Sequence, residues 1–197
     1  MINIDLLLTY GATYKKVQKG ETIFSEGSRA LFYHQLVEGE IRWVNIDDEG
    51  KEFIQHIIEP GDCFGEMPLF DNEPYAASAI ADEDSVIIRL HHSTFQQLLK
   101  DQPDILSSFT KLLAQRLRFK FMLVKELSSY SPGHRIITII NYLKKNKMNM
   151  CPKCNKLLLT RQQLANMTGL RVETVIRTIK DLEEKKFLTI QKGKVYC

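Results

Sequence analysis

The sequence predicts an α+β chain with many short antiparallel strands first, one long helix next, and a compact helical segment ending in a hairpin last. Three observations predict it. Short apolar runs punctuated by glycine fill residues 14–90, no Gly or Pro occurs between Pro103 and Pro132, and the charge balance reverses near Tyr130.

Between Tyr14 and Leu90 the runs ETIF, LFYHQLV, IRWVNI, FIQHII and SVIIRL are separated by the turn signals KGE, EGS, EGE, DDEGKE and EPGD. Strands so short and so closely spaced, with Gly20, Gly27, Gly39, Gly50 and Gly61 at the turns, read as an antiparallel barrel or roll. After Pro103, DILSSFTKLLAQRLRFKFMLVKEL predicts one helix, ~36 Å long at about 1.5 Å per residue. Its apolar positions cover more than one stripe. One face can lie on the roll, and Phe109, Leu113, Leu117 and Val124 are then offered to the same helix of a second chain, as in a symmetric homodimer. Burial of the helix within one subunit is the alternative left open.

Ser131 followed by Pro132 predicts a helix start, and Ile136, Ile139, Ile140 and Leu143 give that helix an inner face. The run LLL at 157–159 reads as a strand. Thr160-Arg161-Gln162-Gln163 has the form of a capping box, and Gly169 stops the short helix it opens. A second helix is expected from about 172 to 186 with Val175, Ile179 and Leu182 turned inward, then a strand, the turn Gln191-Lys192-Gly193-Lys194, and a last strand. The domains expected are 1–100 (the roll), 101–130 (a dimerisation helix and hinge) and 131–197. Internal repeats and low-complexity segments are absent.

With 197 residues, 44% of them hydrophobic, the chain can bury a core of one or two domains. The N-terminal residues lack the basic-then-apolar pattern of a leader, and no run approaches the ~20 apolar residues of a membrane span. A cytoplasmic protein is expected. Four cysteines, Cys63, Cys151, Cys154 and Cys197, are too few and too uneven for a disulfide framework.

Net charge is +3 overall, but residues 1–130 carry 13 basic and 20 acidic side chains, and residues 131–197 carry 14 and 4. A basic segment of that kind is expected to meet a polyanion, because clustered Lys and Arg release counterions when they neutralise phosphates. Two short helices joined at Gly169 form a helix-turn-helix, and the terminal hairpin with its Lys-Gly-Lys tip adds a wing. On the second helix Glu173, Ile176, Arg177 and Lys180 recur at i, i+3, i+4 and i+7 and share the face opposite the apolar row. Arg offers two donors to guanine, Glu accepts from cytosine N4, and Ile can lie on a thymine methyl. A solvated face with a Glu-Arg pair is the plainer reading of the same spacing.

The segment TRQQLANMTGLRVETVIRTIKDLEEKKFL resembles the DNA-reading part of the cyclic-AMP receptor and fumarate-nitrate regulator (CRP/FNR) family. KGETIFSEG, VEGEIRW, EPGDCFGEMPLF, YAASAIADEDS and LAQRL, in this order, are similar to that family's cyclic-nucleotide-binding-type β-roll and the start of its dimer helix. The resemblance covers nearly the whole chain. It implies a homodimeric transcription regulator that acts on double-stranded DNA and with RNA polymerase, and is not an enzyme. By this likeness Glu173 and Arg177 are the base-reading pair, Val172 follows the fumarate-nitrate type, and the target is a palindrome with TTGA-like half-sites. Ile176 stands where a small polar residue is usual, and Arg171 where Ser or Thr usually caps the helix. Arg161, Arg171, Lys180, Lys192 and Lys194 are expected at phosphates.

In the roll, Gly65 and Glu66 match the family's phosphate-binding cassette. Its arginine falls at Tyr75 and its hydroxyl at Ala76. Neither substitute pairs with a phosphate charge, so cyclic AMP is not expected as the effector. An iron-sulfur cluster is not expected either, since only Cys63 precedes residue 150. The five histidines show no ligand-like spacing. Cys151-Pro152-Lys153-Cys154 can be half of a zinc site, a redox pair or a bystander loop. Two other classes stay in view, a ligand- or redox-sensing module that does not act on DNA and a cupin-like enzyme, although cupins need an H-x-H pair this sequence lacks.

Overall fold

A computed structural model describes residues 2–129 and 131–197. The chain divides between Gln115 and Arg116 into two compact units. Among the described residues no helix is long and apolar enough to cross a membrane.

The first unit opens with helix α1 (Ile4–Thr9), whose Asn3 side chain accepts from the N–H groups of Asp5 and Leu6. Strands β1 (Thr13–Val17), β2 (Thr22–Phe24), β3 (Phe32–Glu38), β4 (Ile41–Ile46), β5 (Glu52–Ile58) and β6 (Cys63–Phe64) follow. Then come helix α2 (Pro68–Asp71), strands β7 (Ser78–Ala81) and β8 (Ser85–His91), helix α3 (His92–Asp101) and the start of helix α4 (Pro103–Ser129). The strands form two four-stranded sheets, in the orders β1-β8-β3-β6 and β2-β7-β4-β5, with every pairing antiparallel. This is the predicted roll. Gly39 shows why its turns need glycine: φ is 98°, and a Cβ there would lie 2.1 Å from the Ser85 hydroxyl oxygen.

One face of β3 supports the helices. Tyr33 stacks on Phe95 of α3 at 4.9 Å and meets Phe109 edge-on at 6.0 Å. Its hydroxyl donates to Gln35 Oε1, and Gln35 Nε2 donates to the Ile2 carbonyl, so the buried polar groups are paired. Phe109 therefore corrects an expectation. Sequence spacing offers it to a second chain, yet it is 2% exposed and closed in by Tyr33, Phe70 and Phe95. Apolar residues lie on both faces of α4, and the aromatic hollow left by α3 and β3 takes Phe109.

The second unit contains the end of α4, helices α5 (Pro132–Asn146), α6 (Arg161–Thr168) and α7 (Val172–Glu184), and strands β9 (Thr189–Gln191) and β10 (Lys194–Tyr196). Ser131 caps α5 with Pro132 in its first turn, and Ile136, Ile139, Ile140 and Leu143 are buried. Thr160 and Gln163 form the predicted capping box of α6, and Gly169 ends that helix at φ 66°. The expected strand at 157–159 is not formed. Only single antiparallel bridges occur there, Met150 with Leu157 and Lys156 with Tyr196; Leu157, Leu158 and Leu159 alternate buried, exposed and buried as a strand would, but no neighbouring strand pairs along the run. Helix α7 ends at Glu184, two residues before the expected end, and Lys186 takes a positive φ of 61°.

Candidate functional site

Helix α7 is a two-faced helix of simple construction. Val175, Thr178, Ile179 and Leu182 are buried, while Glu173, Ile176, Arg177 and Lys180 are all exposed. Ile176 is 43% exposed amid charged neighbours, a position that folding alone does not reward. Arg171 precedes the helix in an extended conformation and makes no side-chain cap, so the first N–H groups of α7 have no partner from it. Gly169 and the Leu170 N–H, which donates to the Ala165 carbonyl at 3.2 Å, make the tight connection to α6.

The wing is a hairpin of β9 and β10 with Gln191 opposite Lys194. Lys192 and Gly193 both have positive φ, 46° and 74°, the pattern of a two-residue turn that follows strand twist. Lys192 and Lys194 are exposed at its tip. Glu183 of α7 accepts from the Ile190 N–H at 2.7 Å and fixes the entry to β9. The Arg161 guanidinium, half-buried, donates to the Gly193 carbonyl at 3.4 Å. Arg161 thus fastens the wing turn to the first turn of α6, a role its spacing in the sequence does not reveal.

The long helix contributes to both units. In the first, Leu113 is half-buried. In the second, Phe119 and Leu123 are buried, Phe119 against Tyr142 at 4.6 Å, while Leu117 and Val124 are 55% and 64% exposed, with Phe121 exposed beside them. These three apolar side chains lie about one turn apart, and solvent is a poor neighbour for them.

In the roll, Gly65 has φ 65°, and a Cβ on it would come 2.5 Å from the Phe24 ring and 2.8 Å from that of Tyr75. Glu66 is fully buried. Tyr75, at the cassette's arginine position, is buried and stacks on Phe24 with ring centroids 3.7 Å apart and planes 7° from parallel. Burial pushes its phenol up to about 12. Ala76 is exposed, with its carbonyl accepting from Asn45 Nδ2. Phe64 and His34 continue the cluster, stacked at 5.4 Å. Burial, with help from the Arg89 and Lys15 charges, pushes the His34 imidazole down to about 3, so it is neutral near pH 7. Sequence reasoning missed Phe24 and His34. Both sit in ordinary strand patterns, and only the folded roll brings them beside Gly65 and Tyr75. Among the described residues no cluster of three or more His, Cys, Asp or Glu could hold a metal ion.

Residues 14–102 match the model of the cyclic nucleotide-binding domain, and residues 134–196 match that of the Crp-like helix-turn-helix domain. A cAMP-activated global transcriptional regulator CRP of Pasteurella multocida is 30% identical over 176 residues, 88% of this chain and 84% of the relative. The protein of the same name from Haemophilus influenzae is 29% identical over 187 residues, 94% of this chain and 83% of the relative. Among solved structures, FixK2 of Bradyrhizobium japonicum superposes with a TM-score of 0.78 at 21% identity, covering 94% of this chain and 91% of that one. The c-di-GMP responsive global regulator CLP of Xanthomonas campestris gives 0.77 at 22%, covering 98% and 96%. A two-sheet roll of the cyclic nucleotide-binding kind, a long helix and a winged helix-turn-helix thus occur in one chain with CRP relatives along most of its length. The chain belongs to the CRP/FNR family of DNA-binding transcription regulators.

Proposed function

We propose that this regulator binds, as a homodimer, a palindrome with TTGA-like half-sites, and that an effector at the roll controls the binding. The observation that carries the reading is the exposed row Glu173, Ile176, Arg177 and Lys180 standing over a fully buried row on the same helix. Glu173 and Arg177 would read base edges, with Ile176 against a thymine methyl. Arg171, Lys180, Lys192 and Lys194, all exposed, suit phosphates, and the open start of α7 favours a phosphate oxygen by its dipole. Arg161, held by the wing turn, would serve a phosphate less directly. In this scheme residues 1–100 sense, 101–130 dimerise and transmit, and 131–197 bind DNA; RNA polymerase is the further partner.

Leu113, Leu117 and Val124 of α4 are the dimer-facing residues in this reading, supported by the exposure of the last two. Pairing through them would hold two α7 helices for half-sites one helical turn, about 34 Å, apart. Repacking of α4 by a signal in the roll would change that separation and with it the affinity.

The effector is read without an arginine-phosphate pair, because Tyr75 stacks on Phe24 where the cassette's cation would stand. Micromolar cyclic AMP is expected to leave the melting temperature unchanged; a clear rise would overturn this part. The whole reading is tested by random-sequence duplex selection with the purified protein, alongside its mass in solution. Enrichment of an inverted repeat by a dimer supports it. A monomer, or binding to duplex DNA that is indifferent to sequence and salt, would refute it.

A further inference from the structure

Cys151 and Cys154 take no part in the reading above, and they share a turn in the second unit. The Cys151 N–H donates to the Lys156 carbonyl at 2.8 Å and the Asn155 N–H to the Cys151 carbonyl at 3.0 Å, below the bridge of Met150 with Leu157. Asn155 closes the turn at φ 54°. Inside it Cys151 has the Cys154 thiol, the N–H groups of Lys153 and Cys154 and the Lys156 charge as its neighbours. These partners hold the Cys151 thiol below the usual cysteine range. Cys154 is exposed and Cys151 half-buried, whereas Cys63 is fully buried in the roll. Burial pushes the thiol of Cys197 up.

The turn is also the neighbour of the wing. The Leu157 N–H donates to the Val195 carbonyl at 2.9 Å, the Cys197 N–H to the Asn155 carbonyl at 3.1 Å, and Lys156 bridges Tyr196. The backbone that carries the two thiols is thereby bonded along the edge of β10, which begins at the wing residue Lys194.

We infer that Cys151 and Cys154 form an oxidation site for hydroperoxides, and that their oxidation weakens the grip of the wing on DNA. The Cys151 thiolate attacks one peroxide oxygen. The O–O bond breaks, the other oxygen leaves as an alcohol or as water after taking a proton, and Cys151 becomes a sulfenic acid. The Cys154 sulfur then attacks the Cys151 sulfur, the S–S bond forms, and the sulfenic oxygen departs as water with the Cys154 proton. The dithiol loses two electrons and the peroxide gains them. Closing a covalent bond between the two sulfurs reshapes the turn, whose residues Asn155, Lys156 and Leu157 are bonded to β10. This last step rests on the DNA reading of the wing.

The test treats the reduced full-length protein with one equivalent of hydrogen peroxide and reads intact mass, peptide map and duplex affinity. Expected are the loss of two hydrogens, a disulfide joining Cys151 to Cys154, and affinity weakened about 5-fold or more and restored by dithiothreitol. Cys154→Ser should stop at a sulfenic acid on Cys151 that dimedone traps, and Cys151→Ser should slow oxidation of the turn ~10-fold or more. No disulfide, oxidation at Cys63 or Cys197 instead, a soft metal ion already holding the pair in the purified protein, or a disulfide that leaves affinity unchanged would each overturn the inference. Failure of the reduced protein to bind any duplex would sink the DNA reading instead, and the mass measurement would still decide the thiol chemistry.

Discussion

The roll and the C-terminal unit aim their distinctive side chains in opposite directions. In the roll, Phe24, His34, Phe64, Glu66 and Tyr75 are turned inward and closed off from water. In the C-terminal unit, Glu173, Ile176, Arg177 and Lys180 are turned outward over the buried Val175, Thr178, Ile179 and Leu182. Burial changes the chemistry of a group, as the depressed imidazole of His34 shows. Exposure leaves the chemistry ordinary and makes placement everything. Arg177 is exposed, and in the proposed reading its role would come from the helix that presents it beside Glu173. Changes in the first region are therefore expected to act on stability and those in the second on DNA, each with little effect on the other property.

The sharpest way to break the comparison is Phe109→Ala. It removes a ring packed against Tyr33, Phe70 and Phe95 and should cost about 3–5 kcal/mol of stability in denaturant unfolding. A loss under about 1 kcal/mol would mean the ring belongs to a different surface. Next in size, Arg177→Ala should cost ~1–3 kcal/mol of specific binding and relax selectivity at one base pair, with unfolding unchanged. Unaltered preference in a sequence selection would remove Arg177 from base reading.

A smaller effect follows from His34. Its folded pKa, pushed down to about 3, lies below the ordinary imidazole value of 6.5. Stability is therefore fully present above about pH 6.5 and falls as pH drops toward 3, by up to about 1.4 kcal/mol per pH unit for this one group. His34→Phe should flatten that part of the stability-pH curve, and an identical slope in the variant would contradict the assignment. The smallest change is expected from Lys192→Ala, which should weaken binding to all sequences alike and reduce the salt slope by about 1. A change in base preference would place Lys192 at a base edge.

Much of this arrangement was legible before folding was considered. The Gly-punctuated strands announced the roll, the capping box at Thr160 and the stop at Gly169 bounded α6, and the spacing of Val175, Ile179 and Leu182 fixed which side of α7 faces outward. Those signals are local. The errors fall where two local options were equally good. The run 157–159 had strand character, but a strand exists only when a partner pairs along its length, and β10 reaches no further than Lys156 and Leu157. The bond from the Arg161 guanidinium to the wing turn had no local signal either, and it leaves the proposed phosphate role untouched.

The sequence by itself determined the order of elements, the break in charge and the outward row of α7, since all three depend on residues a few positions apart and on one repeating period. Tertiary structure alone decided which apolar residues of α4 are spent inside the chain, with Phe109 filling the hollow beside Tyr33 and Leu117 and Val124 left in water. It also decided that Tyr75 lies flat on Phe24 above Gly65. A helix with apolar residues on both faces carries no internal preference between them, and a stacked pair drawn from β2 and the loop before β7, some 50 residues apart in sequence, has no local signal. Both outcomes are set by the shape of the surface that folding brings up against them.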